Sequence, residues 1–291
     1  MEKITVNGIR LAYLRRGKGM PLVLVHGYPL DHRIWDEVVP LLEDEFDLIL
    51  PDLRGFGESG MVEVPGVSSA EIAGLSSVEI PGLSSVETPG LSSVETPYTL
   101  TDMAGDLLAL LDHLGIEQVC MAGHSMGGYI ALAFACAWPG RLRGLGLVAS
   151  QARADTPDRR QARYDAASAI LKNGVRQVAE EMSAKLTPDE RVQARVRKLI
   201  EAQSPAGLAG ALRAMAERQD ATPFLPSFHF PVVIVHGEAD VLVPVERARE
   251  VKAALPQASF VEVTGAGHMP MLEAPEITAK ALKTLLRQPE F

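Results

Sequence analysis

The chain has 291 residues, of which 47% are hydrophobic and 22% charged, enough to bury a full core and too apolar for wholesale disorder. A formal charge of -9 argues against a nucleic-acid partner, which needs a concentrated basic surface. No run reaches about 18 uncharged apolar residues, and Met1 to Thr5 do not lead into a signal-like segment, so the expectation is a cytoplasmic protein with no membrane partner.

Two short strands are predicted at the start, Ile4 to Val6 and Arg10 to Arg15, joined by Asn7-Gly8 as a hairpin turn. The unbroken apolar run Leu22 to Val25 reads as a central parallel strand covered on both faces. A helix from Trp35 to Leu42, a strand from Phe46 to Leu50 and an amphipathic helix from Leu100 to Leu114 follow. Strands at Val119 to Ala122 and Leu142 to Val148 flank a small-residue helix from Tyr129 to Trp138. Residues 157 to 221 then carry helical patterns only, before Val232 to Val235 and Ser259 to Val263 resume the strand signal. The fold class is therefore α/β, a mostly parallel eight-stranded sheet flanked by helices, with a helical insertion after the sixth strand. The corresponding domains are a core of 1–154 and 226–291 and a cap of 155–225.

Residues 64–95 repeat every eight residues as VPGVSSAE, IAGLSSVE, IPGLSSVE and TPGLSSVE. Pro-Gly favours turns, Ser-Ser is solvated, and one Val or Leu per unit cannot close a core, so the repeat reads as a surface insertion within the core domain. Gly55-Phe56-Gly57-Glu58-Ser59-Gly60 matches a dinucleotide fingerprint in letters but does not open a helix, so no cofactor is expected there. Its glycines are expected to fold a loop around a paired Asp52 and Arg54. Cys120 and Cys136 lack metal or disulfide spacing, and the histidines lack a pattern such as HExxH, so no metal is expected.

The chemistry concentrates at Gly123-His124-Ser125-Met126-Gly127, where a strand turns sharply into a helix. Such a turn lifts the Ser125 hydroxyl clear of the backbone, and Gly123 and Gly127 have no Cβ to clash where strand and helix meet. His268, in a Gly-rich loop after the last strand, is the candidate base. Asp240, in the turn after Val232 to Val235, is the candidate acid that orients it, with Glu238 and then Asp155 as rivals. All emerge at the carboxyl ends of strands, in the chain order Ser, Asp, His. The backbone N–H groups of Met126 and Tyr28 are candidate oxyanion donors, supported by His26, Gly27 and His124.

With His26-Gly27-Tyr28-Pro29, Asp52-Leu53-Arg54-Gly55-Phe56-Gly57-Glu58-Ser59, the Ser125 elbow, His236-Gly237-Glu238-Ala239-Asp240 and Gly265-Ala266-Gly267-His268 in order, the chain resembles the α/β-hydrolase superfamily. Within it, the chain is similar to 3-oxoadipate enol-lactonase-like and small carboxylesterase-like serine hydrolases. The resemblance implies a cofactor-free enzyme, monomeric or homodimeric, cleaving a small ester or lactone. Carbon–carbon bond hydrolysis, perhydrolysis and a non-catalytic ligand-binding role are the alternatives. Relatives that open epoxides carry Asp at the nucleophile position, which Ser125 does not match. The repeat at 64–95 departs from the family pattern, and Tyr98, Leu100, Asp102 and Met103 restore it.

Overall fold

In the computed structural model, which describes residues 1–61 and 98–286, Asn7 and Gly8 take φ values of 47° and 73° and close the predicted hairpin. The repeat at 64–95 lies outside the described residues. The hairpin pairs β1 (Glu2–Val6) with β2 (Ile9–Gly17). With β3 (Met20–Val25), β4 (Phe46–Pro51), β5 (Val119–His124), β6 (Leu142–Val148), β7 (Val232–Gly237) and β8 (Ser259–Val263) they form one eight-stranded sheet, ordered β1-β2-β4-β3-β5-β6-β7-β8. Only β2 opposes the common direction; every neighbouring pair from β4 to β8 is parallel.

Alternation along β3 explains its continuous apolar sequence. Val23 and Val25 enter one core cluster and Leu22 and Leu24 the other, on opposite faces of the sheet. A short α1 (Val39–Leu42) leads into β4. α2 (Leu100–His113) and α3 (Met126–Ala137) then cover the first cluster. The predicted helix from Trp35 to Leu42 is in fact a 3-10 turn, His32–Trp35, followed by α1. Pro40 is the reason: lacking an N–H, it cannot continue a helix from upstream and instead sits in the first turn of a new one.

Between β6 and β7 the chain builds α4 (Pro157–Asn173), α5 (Arg176–Leu186), α6 (Glu190–Glu201) and α7 (Pro205–Ala216), the helical insertion expected after strand six. Its start signals are explicit in the sequence. Thr156, Asp189 and Ser204 cap α4, α6 and α7 through their side-chain oxygens, and Pro157 and Pro205 occupy first-turn positions. After β7 come α8 (Glu246–Ala254), α9 (Pro270–Glu273) and α10 (Pro275–Leu282), the last packing on the second cluster.

The insertion is joined to the carboxyl edge of the sheet. A Cβ on Gly207 of α7 would overlap the carbonyl of Gly55, so these two backbones touch directly. Gln203 bridges the same seam, accepting from Gly57 N at 2.9 Å and donating to Asp31 Oδ2 at 2.8 Å. No helix among the described residues is long and apolar enough to cross a membrane.

Candidate active site

Between β5 and α3, Ser125 adopts φ 50° and ψ -112°, a strained conformation for a residue with a side chain and one that costs on the order of 1–3 kcal/mol. The surroundings hold it there. Ser125 N donates to Val148 O at 2.9 Å, and the Ser150 hydroxyl donates to Ser125 O at 2.9 Å, fastening the elbow to the end of β6. A Cβ on Gly123 would overlap the Gly127 carbonyl, and one on Gly127 the Val25 carbonyl, so both expected glycines mark close backbone approaches. Ser125 itself is half-buried.

His268 and Asp240 are both buried and joined by a hydrogen bond of 2.6 Å between Nδ1 and Oδ2. The other oxygen of Asp240 accepts from Leu242 N and Val243 N, each at 2.9 Å, which closes the turn after β7 and fixes the carboxylate. Burial pushes the Asp240 carboxyl upward, but the charge of His268 and hydrogen bonds from His236, His268 and Val243 N outweigh it. The group is held well below the usual carboxylate range and is ionised near neutral pH. An ionised Asp240 keeps the proton of His268 on Nδ1 and leaves Nε2 bare.

The peptide groups on both sides of His268 are anchored. His268 N donates to Leu186 O of α5 at 2.8 Å, and His268 O pairs with His124 Nε2 at 2.8 Å. His124 and His268 meet edge to face with centroids 4.9 Å apart, so the residue preceding Ser125 touches the candidate base. The Ser125 hydroxyl and His268 Nε2 are not themselves hydrogen-bonded, as is common before substrate arrives.

The N–H groups of Tyr28 and Met126 have no acceptor among the described residues, the condition required of oxyanion donors. His26 and Gly27 fix the loop that carries Tyr28. His26 Nε2 accepts from Leu53 N at 2.9 Å, and a Cβ on Gly27 would overlap the His124 ring.

The expected pairing of Asp52 with Arg54 is not what forms. Asp52 Oδ1 accepts from His32 N and Nδ1 at 3.1 and 2.6 Å, and Oδ2 from Glu58 N at 2.8 Å. Arg54 turns the other way, onto Asp106 of α2, with two bonds of 2.7 Å. Adjacent side chains two residues apart diverge in this loop, and each finds a partner that only the tertiary fold supplies. Asp31, His32 and Asp52 cluster closely enough to suggest a cation site. Their carboxylate oxygens are already occupied by Arg33, Gln203, His32 and Glu58 donors, and the group acts as a clamp between loops.

Of the rivals for the acid, Glu238 is exposed, and Asp155 is committed to Arg163 and Arg218. A cavity of about 410 Å³ opens between the start of α2, α3 and the end of α7, lined by Leu100, Tyr129, Cys136, Gln151, Arg218 and Phe224 among others. Neither Ser125 nor His268 lines it. The Gln203 bridge, the His124–His268 contact and the Arg54–Asp106 pair join residues far apart in the chain and leave no local signature.

Two buried histidines give a testable pH dependence. Burial lowers the pKa of His26, and burial followed by the charge of His268 lowers that of His124 further. Both resist protonation in the fold, while the unfolded chain takes up protons below about pH 6.5. Their stabilisation is complete above that value and is lost as the pH falls toward the folded-state values. His32 acts oppositely: burial disfavours its charge, but Asp52 more than compensates and raises its pKa. The net expectation is a fall in unfolding free energy of about 1–2 kcal/mol per pH unit between pH 6.5 and 5. Urea titrations at pH 7, 6 and 5 measure it; a flat or rising stability would contradict the assignment.

Comparison with known proteins places the chain. The family model described as the alpha/beta hydrolase fold matches residues 20–275, and the chain belongs to that family. A thermophilic esterase from Thermogutta terrifontis superimposes with a TM-score of 0.83 and 34% identity over 99% of this chain and 98% of that one. The 3-oxoadipate enol-lactonase 1 of Acinetobacter baylyi is 26% identical over 88% of this chain and 84% of its own length. A soluble epoxide hydrolase of Corynebacterium sp. (strain C12) is 34% identical, but over 45% of this chain and 34% of that protein.

Proposed function

We propose that the chain is a serine hydrolase of small carboxylic esters or lactones. Ser125 is the nucleophile, His268 the base, Asp240 its orienting acid, and the N–H groups of Tyr28 and Met126 the oxyanion donors. The observation that carries this reading is the buried His268–Asp240 pair at 2.6 Å, anchored through His124 to the strained Ser125 elbow. Ser125 attacks the carbonyl as His268 Nε2 takes its proton, and the imidazolium formed is stabilised by Asp240. The proton then passes to the departing alkoxide oxygen, and His268 next activates water against the acyl-enzyme. In a lactone the leaving oxygen stays tethered to the acyl group. Likeness to the Thermogutta esterase over nearly the full chain supports ester cleavage, and likeness to the Acinetobacter enol-lactonase supports lactone cleavage. A serine at the elbow sets the epoxide-opening route aside, because a carboxylate nucleophile forms an alkyl-enzyme ester where Ser125 forms an acyl one.

Residues 155–225 act in this reading as the cap over the site, since α5 holds the His268 amide and α7 sits on the 52–60 loop. The cytoplasm is the proposed location, where Cys120 and Cys136 stay as the free thiols they are here. A fluorophosphonate probe is expected to add once, at Ser125, by intact-mass and peptide mapping. A folded protein that does not label would instead support a non-catalytic relative, and an adduct elsewhere would remove Ser125 as the nucleophile.

A further inference from the structure

β7 carries a residue that its pattern does not call for. After the apolar run Val232 to Val235 the strand places His236, fully buried, one turn's length before the proposed acid Asp240. A leucine would fill that space with no polar group to bury.

The ring makes its hydrogen bonds at one nitrogen. Nε2 lies 2.7 Å from Val243 O and 3.3 Å from Asp240 Oδ2. A carbonyl and an ionised carboxylate only accept, so Nε2 carries the hydrogen and shares it between them. Nδ1 is buried and has no partner among the described residues. An orphaned buried nitrogen is unfavourable, and the Nε2 contact is what offsets it.

That contact falls on the oxygen that serves His268. Asp240 Oδ2 accepts from His268 Nδ1 at 2.6 Å, while Oδ1 is filled by Leu242 N and Val243 N. Oδ2 therefore stands between two imidazoles, one from β7 and one from the loop after β8. Val243, whose carbonyl takes the other share of the hydrogen, also donates its N–H to Oδ1. One histidine thus holds both ends of the turn 240–243.

Among the described residues no other ionisable side chain reaches Oδ2. His124 of β5 meets the His268 ring but turns Nε2 to the His268 carbonyl. Glu238 is exposed; Glu262, beside His236 in the β7–β8 register, turns to Arg249, and Glu273 of α9 turns to Thr187. Arg159 of α4 reaches the turn at Leu242 O, 3.4 Å away.

We infer that His236 is a positioning residue for the proposed reaction: its Nε2–H fixes the Asp240 carboxylate and draws off part of the charge that Oδ2 presents to His268. This rests on the hydrolase reading above and adds a residue that acts through Asp240. With the donor removed, Leu242 N and Val243 N still hold the carboxylate, Oδ2 gives its charge to His268 alone, and the imidazolium persists to higher pH.

The test follows ethanol release from ethyl butyrate by the parent, His236→Leu and His236→Gln between about pH 5 and 9, with the folded fraction at each pH measured by circular dichroism. His236→Leu is expected to move the acid limb of kcat/KM up by about half a pH unit and to lower the plateau kcat about threefold or more, with KM within about twofold. His236→Gln, whose amide N–H donates to the same acceptors, is expected to return the limb and most of kcat to parental values. A limb that stays in place or moves down in folded His236→Leu overturns the inference and leaves the hydrolase reading standing. So does a His236→Gln as impaired as His236→Leu, because the ring then acts only by filling space. If the variants do not fold, the parent labelled with nitrogen-15 histidine decides. The His236 Nε2–H resonance is expected to shift as His268 titrates, since both hydrogens share one oxygen. A resonance that does not respond, or a bare Nε2, overturns the inference. Absence of ester turnover by the folded parent removes the hydrolase reading and the role of His236 together.

Discussion

Ser125→Ala and His268→Ala are each expected to lower kcat on a short-chain ester by about 10⁴-fold or more, and the double variant to lose little beyond either single one. The two act as one proton-transfer unit, so removing the second part of a broken unit has nothing further to remove. Asp240→Asn is expected to cost about 10³–10⁴-fold for a different reason. The amide keeps an acceptor for Leu242 N and Val243 N but does not hold the imidazole proton on Nδ1, and His268 then presents the wrong tautomer to Ser125. Thermal unfolding should stay within a few degrees of the parent in the Ser125 and His268 variants, because neither side chain fills a core cluster. Steady-state kinetics on the three single variants and the double one decide the matter. An Asp240→Asn enzyme with near-parental turnover would remove Asp240 from the role of acid and return attention to Glu238.

The fold was legible wherever a local rule decided the outcome. Asn7-Gly8 closes a hairpin because both residues tolerate positive φ, and the paired register from Val6–Ile9 follows from it. The helix predicted from Leu100 starts there because Thr99 and Asp102 cap α2 reciprocally. The elbow was readable for the same kind of reason. Gly123 and Gly127 stand where a Cβ cannot, and the serine between them is left at an unusual φ. Asp240 and His268 were found by position, each just beyond the carboxyl end of a parallel strand, and they meet at 2.6 Å.

What the sequence concealed is what the tertiary fold creates. Asp52 and Arg54 look like a pair because they are close in the chain, yet each is drawn to a partner on another element, His32 in one case and Asp106 in the other. His124 reads as one letter of the elbow, and its second role, holding the His268 carbonyl, spans 144 positions of sequence. Arg163 stands in a stretch of α4 rich in charged residues, and it is largely covered because α4 turns that stripe toward the core cluster. Helical periodicity places a residue on a stripe but does not say which stripe the rest of the protein will cover.

Asp106→Ala is expected to destabilise the protein by about 3–5 kcal/mol. Asp106 is 1% exposed and Arg54 6%, so neither has water to fall back on. Arg54 donates twice to Asp106 at 2.7 Å, Asn7 Nδ2 adds a third bond at 3.0 Å, and the Tyr98 ring lies 5.2 Å beneath the guanidinium. One carboxylate on α2 thus ties together the β1–β2 hairpin and the loop after β4. Removing it strands a buried cation, whose desolvation outweighs any Coulombic attraction the pair had supplied. If that is the origin of the loss, Arg54→Met combined with Asp106→Leu should recover most of it, since the replacement leaves no charge to desolvate. The same loop supplies Leu53 N to His26 and Asp52 to His32, so Asp106→Ala should also lower turnover, and the double replacement should restore it in step with stability. Urea unfolding and ester kinetics on the parent and the two variants test this. A loss below about 1 kcal/mol for Asp106→Ala would mean that water reaches Arg54, and that hydrophobic packing rather than this ion pair positions the loop.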